Sequence, residues 1–319
     1  MRDGTIWVVI ADIHANLPAL QGVQADAIAQ AKAAGVSEAA LRYVSLGDVV
    51  DYGPQPGECL AWVASKGDQI ITILGNHDWE AARCPDTMPG LGVARDYWPL
   101  LIWTRCQLTQ EQKGELVRWP PILVDIPGLP DFVLSHSDFD KGNDYSKYPE
   151  TRQELIKQVE EQFRKPLQAK GKHYGLIGHS HKQLLYWFRD GKGTVLSQPE
   201  QLVRDDWLPM PQGDVIINPG SVGQPRRVHN GDPLDQRAQY LLLDTRADSV
   251  QYKFRRVEYN VEDTLAQFDQ ITLPQPLPDS CHPGPRGEIK LDARTIADLS
   301  EKLAEQIRVL KMQLAGWLF

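Results

Sequence analysis

The chain repeats one phrase, an apolar, β-branched run that stops at polar residues. It stands as TIWVVIADIH, LRYVSLGDVVDYG, DQIITILGNHD, DFVLSHSD, HYGLIGHSH and DVIINPGS. Short runs rich in Val and Ile, closed by Gly, Asn or Asp, predict buried strands. Their near-continuous apolarity predicts strands covered on both faces, as in a layered α/β fold. Between the first two runs, Leu17, Leu20, Val23, Ala27 and Ile28 share one helical face. Asn16 suits the N-cap there, Pro18 the first turn and Gly35 the stop. A second helix is expected around Glu58 to Lys66. Strand, helix, strand, helix, strand implies parallel pairing through crossover helices.

Farther along the pattern changes. From Trp79 to about Pro121 it reads as a helical insertion, with a capping-box spacing from Thr109 to Gln112. ILVDIPGLPDFVLSH predicts two strands joined at Pro127-Gly128, and Glu150 to Lys170 a charged amphipathic helix within a second insertion near 138–172. QLLYWFRDGKGTVLS and QYLLLDTRADSVQYKFRRVEYN predict hairpins, the first turning at Asp190-Gly191. These later strands look antiparallel, so the sheets are expected to be mixed. The boundaries that result are a main domain over 1–272, a Pro-rich linker over 273–291 and a C-terminal helix over 292–319, ending in the apolar GWLF.

At 319 residues, 42% hydrophobic and 24% charged, the chain can bury a full-sized core. A net charge of −8 argues against a broad nucleic-acid-binding face. No run is long enough for a membrane span, and the N-terminus lacks a signal-peptide core. The expected location is cytoplasmic. Cys59, Cys84, Cys106 and Cys281 are scattered with no C-x-x-C pair and read as reduced, packed thiols.

Candidate chemistry collects where the strands stop. Asp12 and His14 close the first, Asp48 the second, Asn76, His77 and Asp78 the third, His136 the fourth, and His179 with His181 the fifth. In open α/β sheets, sites form beyond the carboxyl ends of strands. Residues two apart on a strand share a face, so Asp12/His14 and His179/His181 are each expected to aim at one point. Mixed nitrogen and oxygen donors suit Mn²⁺, Fe or Zn²⁺ better than an all-oxygen cage. Seven of these nine as ligands would exceed one small ion but suffice for two at ~3.5–4 Å, with Asp48 as the bridge. His173, His229 and His282 stand outside these motifs and read as ordinary histidines.

The set resembles the calcineurin-like metallophosphoesterase superfamily, whose motifs run D-x-H, G-D, G-N-H-D/E, H and G-H-x-H. Here they stand as DIH at 12–14, GD at 47–48, GNHD at 75–78, His136 and GHSH at 178–181. GDVVDYGP at 47–54 and NPGSVGQPR at 218–226 are similar to the small prokaryotic branch with symmetrical diadenosine-tetraphosphatase-like and phosphodiesterase-like members. Ala15 after D-x-H, SHSD at 135–138 and GHSH in place of GHTH depart from the common pattern without removing a ligand. The resemblance implies a four-layer α-β-β-α sandwich of two mixed sheets. It also implies one metal on Asp12, His14, Asp48 and His181, and a second on Asp48, Asn76, His136 and His179. Mn²⁺ is the expected ion, with Fe, Zn, Ni or Co as alternatives.

The activity implied is hydrolysis of a small phosphomonoester, phosphodiester or dinucleoside polyphosphate, with a hydroxide bridging the metals as nucleophile. His77 is the candidate general acid, oriented by Asp78 or Asp51. Asn76 and Arg226 are candidate phosphate contacts. A non-catalytic scaffold of the same fold, or a nuclease or protein phosphatase of the superfamily, are the competing readings. The expected partner is a small phosphorylated substrate, with no membrane or nucleic acid, and the C-terminal helix is a candidate surface for a homo-oligomer.

Overall fold

The computed structural model describes residues 4–83, 98–142, 144, 146–147, 153–227, 234–275 and 293–315. Its first sheet is built from β1 (Ile6–Ile10), β2 (Arg42–Ser45), β3 (Ile70–Thr72), β9 (Leu208–Pro209), β11 (Ala238–Asp244) and β12 (Gln251–Val257), in the order β3-β2-β1-β11-β12-β9. The second holds β4 (Ile122–Ile126), β5 (Leu129–Ser135), β6 (Tyr174–Leu176), β7 (Gln183–Arg189), β8 (Lys192–Leu196) and β10 (Asp214–Pro219), in the order β4-β5-β6-β10-β7-β8. Both are mixed: β1 pairs parallel with β2 and antiparallel with β11, and β10 pairs parallel with β6 and antiparallel with β7.

Strand alternation explains the layers. Trp7, Val9 and Ala11 enter the core between the sheets with Leu134, Leu176, Leu185 and Ile217. Ile6, Val8 and Ile10 point the other way, under α1 (Leu17–Ala33) and α2 (Pro56–Ser65). On the far side Val133, Ile177, Tyr186 and Ile216 meet Val159, Phe163 and Leu167. With both faces apolar, β1 has no solvent side, which is why it reads as a continuous run. The four layers are helix, sheet, sheet, helix.

Local expectations are met where local chemistry decides. Asn16 caps α1 by accepting from the Ala19 N–H at 3.2 Å. Thr109 and Gln112 form the reciprocal box opening α5 (Gln110–Leu116). Asp190 (φ 51°) and Gly191 (φ 72°) make the left-handed pair between β7 and β8. The charged stretch departs from a single helix. A 3₁₀ turn (Gln153–Leu155), α6 (Ile156–Val159), a π turn (Glu160–Arg164) and α7 (Lys165–Ala169) follow one another. Pro166 removes an N–H from the ladder, and the widened turn directly precedes it.

Three further helices pack on other helices: α3 (Asn76–Ala82) on α4 (Trp98–Gln107), α4 on α2, and, after the short α8 (Pro199–Leu202), α9 (Val261–Phe268) on α1. The last helix, α10 (Ala293–Leu314), lies against α4 and α9, where Leu303, Ile307, Leu310 and Leu314 pack on Leu100, Trp103 and Phe268. The Pro-rich stretch after Gln275 and the GWLF tip lie outside the described residues. Cys59 is a free buried thiol, but Cys106 is disulfide-bonded, so the expectation of four reduced thiols fails there. Wide sequence spacing places no limit on approach in space. No helix among the described residues is long and apolar enough to cross a membrane.

Candidate metal centre

The loops that leave β1, β2 and β10 are laced together, mostly through their backbones. Asp12, His14 and Ala15 donate their N–H groups to the carbonyls of Gly47, Asp48 and Val49 at 2.9–3.0 Å. Asp12 O in turn accepts from Ser221 Oγ at 2.7 Å and from the Gly223 N–H. Strand alternation does not aim the paired donors, contrary to expectation. Asp12, His14, Asp48, His179 and His181 all lie beyond their strands at φ between 47° and 67°. Left-handed backbone costs a non-glycine residue roughly 1–2 kcal/mol, and such strain gathers at functional sites. The turns, rather than period two, aim these side chains inward.

The result is two converging donor sets, Asp12, His14, Asp48 and His181, and Asp48, His136 and His179, all buried and sharing Asp48. Asp48 Oδ2 stands 3.1 Å from His136 Nε2 and 3.9 Å from His14 Nε2. Asp12 Oδ1 stands 3.3 Å from His181 Nε2. Backbone carbonyls select the tautomers. His14 Nδ1–H donates to Val50 O (3.3 Å), His136 Nδ1–H to Leu46 O (2.7 Å) and His181 Nδ1–H to Gln224 O (2.7 Å). Each ring is thereby left with Nε2 turned toward the donors, the arrangement metal-binding histidines use.

Electrostatics point the same way. Burial holds His14 and His181 well below the usual histidine value, so both are neutral at pH 7. Their Nε2 atoms nevertheless face each other at 3.0 Å. Two lone pairs that close in a dry site repel, and a shared cation turns the repulsion into coordination. Asn76, at the start of α3, adds a buried Oδ1 with no hydrogen-bond partner. Asp48 stays well below the ordinary carboxylate value: burial would raise it, but His136, His77 and His14 outweigh that. The donor set fits divalent cations.

His77 stands at the rim. Its N–H donates to Asp48 Oδ1 at 2.9 Å, and its Nδ1 meets Asp51 Oδ2 at 2.8 Å. Of the two carboxylates open as its orienting partner, Asp51 holds the ring. Both oxygens of Asp78 are occupied by four backbone N–H groups, those of Asp48, Val49, Val50 and Gly75. Asp78 thus takes no part through its side chain at the His77 ring. The Tyr52 ring, unforeseen in the sequence reading, stands 4.5 Å from His77 and 4.7 Å from His14, centroid to centroid. It belongs to the same GDVVDYGP phrase, which was the available signal. Arg226 donates its N–H to His181 O, and its exposed guanidinium bears electrostatically on Asp12, His14 and His181. Among the other histidines, His173 pairs with Asp214 at 2.9 Å, and His229 and His282 lie outside the described residues.

Comparison with known proteins adds an independent line. A family model described as calcineurin-like phosphoesterase matches residues 7–220. The crystal structure of a metallophosphoesterase from Sphaerobacter thermophilus superposes with a TM-score of 0.60 at 28% identity, covering 88% of this chain and 97% of that one. An uncharacterized protein of Methanocaldococcus jannaschii is 26% identical over 84% of this chain and 93% of its own. The symmetrical bis(5'-nucleosyl)-tetraphosphatase of Chromobacterium violaceum is 39% identical over 70 residues, 19% of this chain and 25% of that protein.

Proposed function

The chain belongs to the calcineurin-like phosphoesterase family, and from that premise we propose that it hydrolyses a small phosphate ester or anhydride with two divalent ions. Asp12, His14, Asp48 and His181 would hold one ion, and Asp48, Asn76, His136 and His179 the other. The observation that carries this reading is the convergence of two buried donor sets on one shared carboxylate, Asp48. Divalent ions bound there supply Lewis-acid polarisation of a phosphoryl oxygen and lower the pKa of water. Mn²⁺ is the ion we favour for the mixed nitrogen and oxygen donors.

The chain's own groups define the remaining roles. Burial alone would lower His77, but the Asp48 and Asp51 carboxylates outweigh it and push the imidazole up to about 10. In the metal-free protein His77 therefore carries its proton at neutral pH. With Nδ1–H held by Asp51, Nε2–H is free to protonate a leaving oxygen. Arg226, whose backbone N–H meets the His181 carbonyl, would meet a phosphoryl oxygen with its guanidinium. The partial match to symmetrical dinucleoside tetraphosphatases is similarity over a quarter of such a protein, so dinucleoside polyphosphates join monoesters and diesters as candidates.

The test is metal analysis of the purified protein, then hydrolysis of bis(4-nitrophenyl) phosphate, 4-nitrophenyl phosphate and a dinucleoside tetraphosphate with added Mn²⁺. Close to two ions per chain and turnover of one class in preference to the others is the expected result. No bound or restorable metal and no turnover would overturn the proposal.

A further inference from the structure

The Asp51 carboxylate has two oxygens, and only one is used by His77. The other, Oδ1, accepts from Thr104 Oγ1 at 3.4 Å. Thr104 is fully buried on α4, far from Asp51 in sequence. Its place on that helix is informative. Leu101 and Leu108 enter the core beneath α1 and α2, whereas Leu100 and Trp103 face α10. Positions 101, 104 and 108 form one stripe at helical spacing. Thr104 thus puts a hydroxyl in the middle of an inward apolar stripe, where burial of an unpaired hydroxyl would be unfavourable.

A carboxylate bound through one oxygen can still turn about its own axis. A second donor on the other oxygen fixes its plane, and with it the imidazole it holds. α4 is itself fixed from behind: the Leu100 N–H donates to Gln306 Oε1 of α10 at 3.1 Å, and the Leu303–Leu314 face packs on it. Tyr52, in ring contact with His14 and His77, packs against the same apolar cluster.

Resting on the phosphoesterase reading above, we infer that Thr104 is a positioning residue for the general acid. It holds Asp51 so that His77 is aimed, and it ties the aim of His77 to the docking of α4 and the C-terminal helix. The chemistry at stake is proton donation to the leaving oxygen, so the effect depends on the leaving group.

The experiment uses the full-length, metal-loaded protein and its Thr104→Val and Thr104→Ser variants. Phenyl and 4-nitrophenyl members of whichever ester class the wild type hydrolyses are compared. For Thr104→Val, kcat on the phenyl ester should fall about tenfold and on the 4-nitrophenyl ester less than about twofold. KM, metal content and far-UV circular dichroism should stay unchanged, and Thr104→Ser should restore the phenyl rate. A second readout needs no turnover: the Nδ1–H resonance of His77 in ¹⁵N-histidine-labelled protein should shift in Thr104→Val and return in Thr104→Ser. If Thr104→Val does not fold, Thr104→Ala serves for the same comparison. Equal slowing of both esters, or an unmoved His77 resonance, overturns the inference and leaves the phosphoesterase reading standing. A wild type that turns over neither ester overturns that reading, while the resonance still reports whether Thr104 holds the dyad.

Discussion

The backbone N–H of Asp48 donates to Asp78 Oδ2 at 2.8 Å, so the shared ligand is held in place by a neighbour that is not among the converging donors. The same carboxylate takes the N–H groups of Val49 at 2.8 Å, Val50 at 3.1 Å and Gly75 at 3.1 Å, clamping the loop after β2 to the start of α3. Asp78→Ala leaves four buried donors without an acceptor. The expected loss is about 3–5 kcal/mol in the urea unfolding of metal-free protein. Asp78→Asn should fall between, because its amide nitrogen would face an N–H. Wild-type stability in Asp78→Ala would show that the clamp is dispensable.

Gly75 shares that junction. A Cβ placed on it would lie 2.1 Å from Asp48 Oδ1 and 2.3 Å from Asp48 N, contacts that no small shift relieves. Gly75→Ala is therefore expected to displace the Asp48 carboxylate and weaken Mn²⁺ binding by at least about tenfold. Isothermal titration checks it, and unchanged affinity would mean that the loop has room to move.

Stoichiometry separates the two donor sets. His136→Ala removes a donor from one set and leaves Asp12, His14, Asp48 and His181 intact, so about one ion per chain should remain by plasma emission analysis. Asp48→Asn touches both sets and should deplete both ions. Equal metal content in the two variants would sink the assignment of Asp48 as the bridge.

The contrast between what the sequence made legible and what it hid has a physical basis. Strand ends, the Asn16 cap and the Asp190-Gly191 turn are decided by residues within a few positions of each other, and all were readable. The donors were readable because each one follows the end of an apolar run. How they converge was not. Strand periodicity describes extended backbone, and Asp12, His14, His179 and His181 sit in left-handed turns held by loops from elsewhere. Nor could spacing choose between Asp51 and Asp78 as the partner of His77. Asp78 is adjacent and Asp51 lies 26 residues away, and only closure of the β2 and β3 loops decides which carboxylate the backbone N–H groups occupy. The place of α10 against α4 is likewise a tertiary outcome, since an amphipathic helix announces an apolar face without naming its partner.

Metal uptake should release protons. In the metal-free site His136 Nδ1–H donates to Leu46 O, and its Nε2 meets Asp48 Oδ2 at 3.1 Å. Burial would lower this imidazole, but Asp48 and then Asp12 outweigh it and push it up to about 9. Burial raises Asp12 to about 7. A cation that takes His136 Nε2 must displace its proton. Apparent affinity should rise by up to about tenfold per pH unit for each proton displaced, between roughly pH 6 and 9. Titration calorimetry in buffers of different ionisation enthalpy measures the release directly. An affinity independent of pH would place the proton elsewhere.

Acid stability offers a test on a carboxylate that is not among the metal donors. Asp235 accepts from Arg237 Nη2 at 2.7 Å and from Arg256 Nη1 of β12 at 2.6 Å. Burial would raise its carboxyl, but these hydrogen bonds prevail and hold it at about 2, below the ordinary 3.8. Because the folded value is depressed, the stability it contributes is complete above about pH 4 and is lost as pH falls through about 2. Asp235→Asn should therefore be less stable than wild type at pH 7, by about 1 kcal/mol or less because the pair is partly solvated. The deficit should shrink toward zero near pH 2, where the wild-type carboxyl takes up its proton. Urea midpoints for the two proteins across that range provide the comparison. A deficit that stays constant with pH would assign the loss to packing rather than to charge.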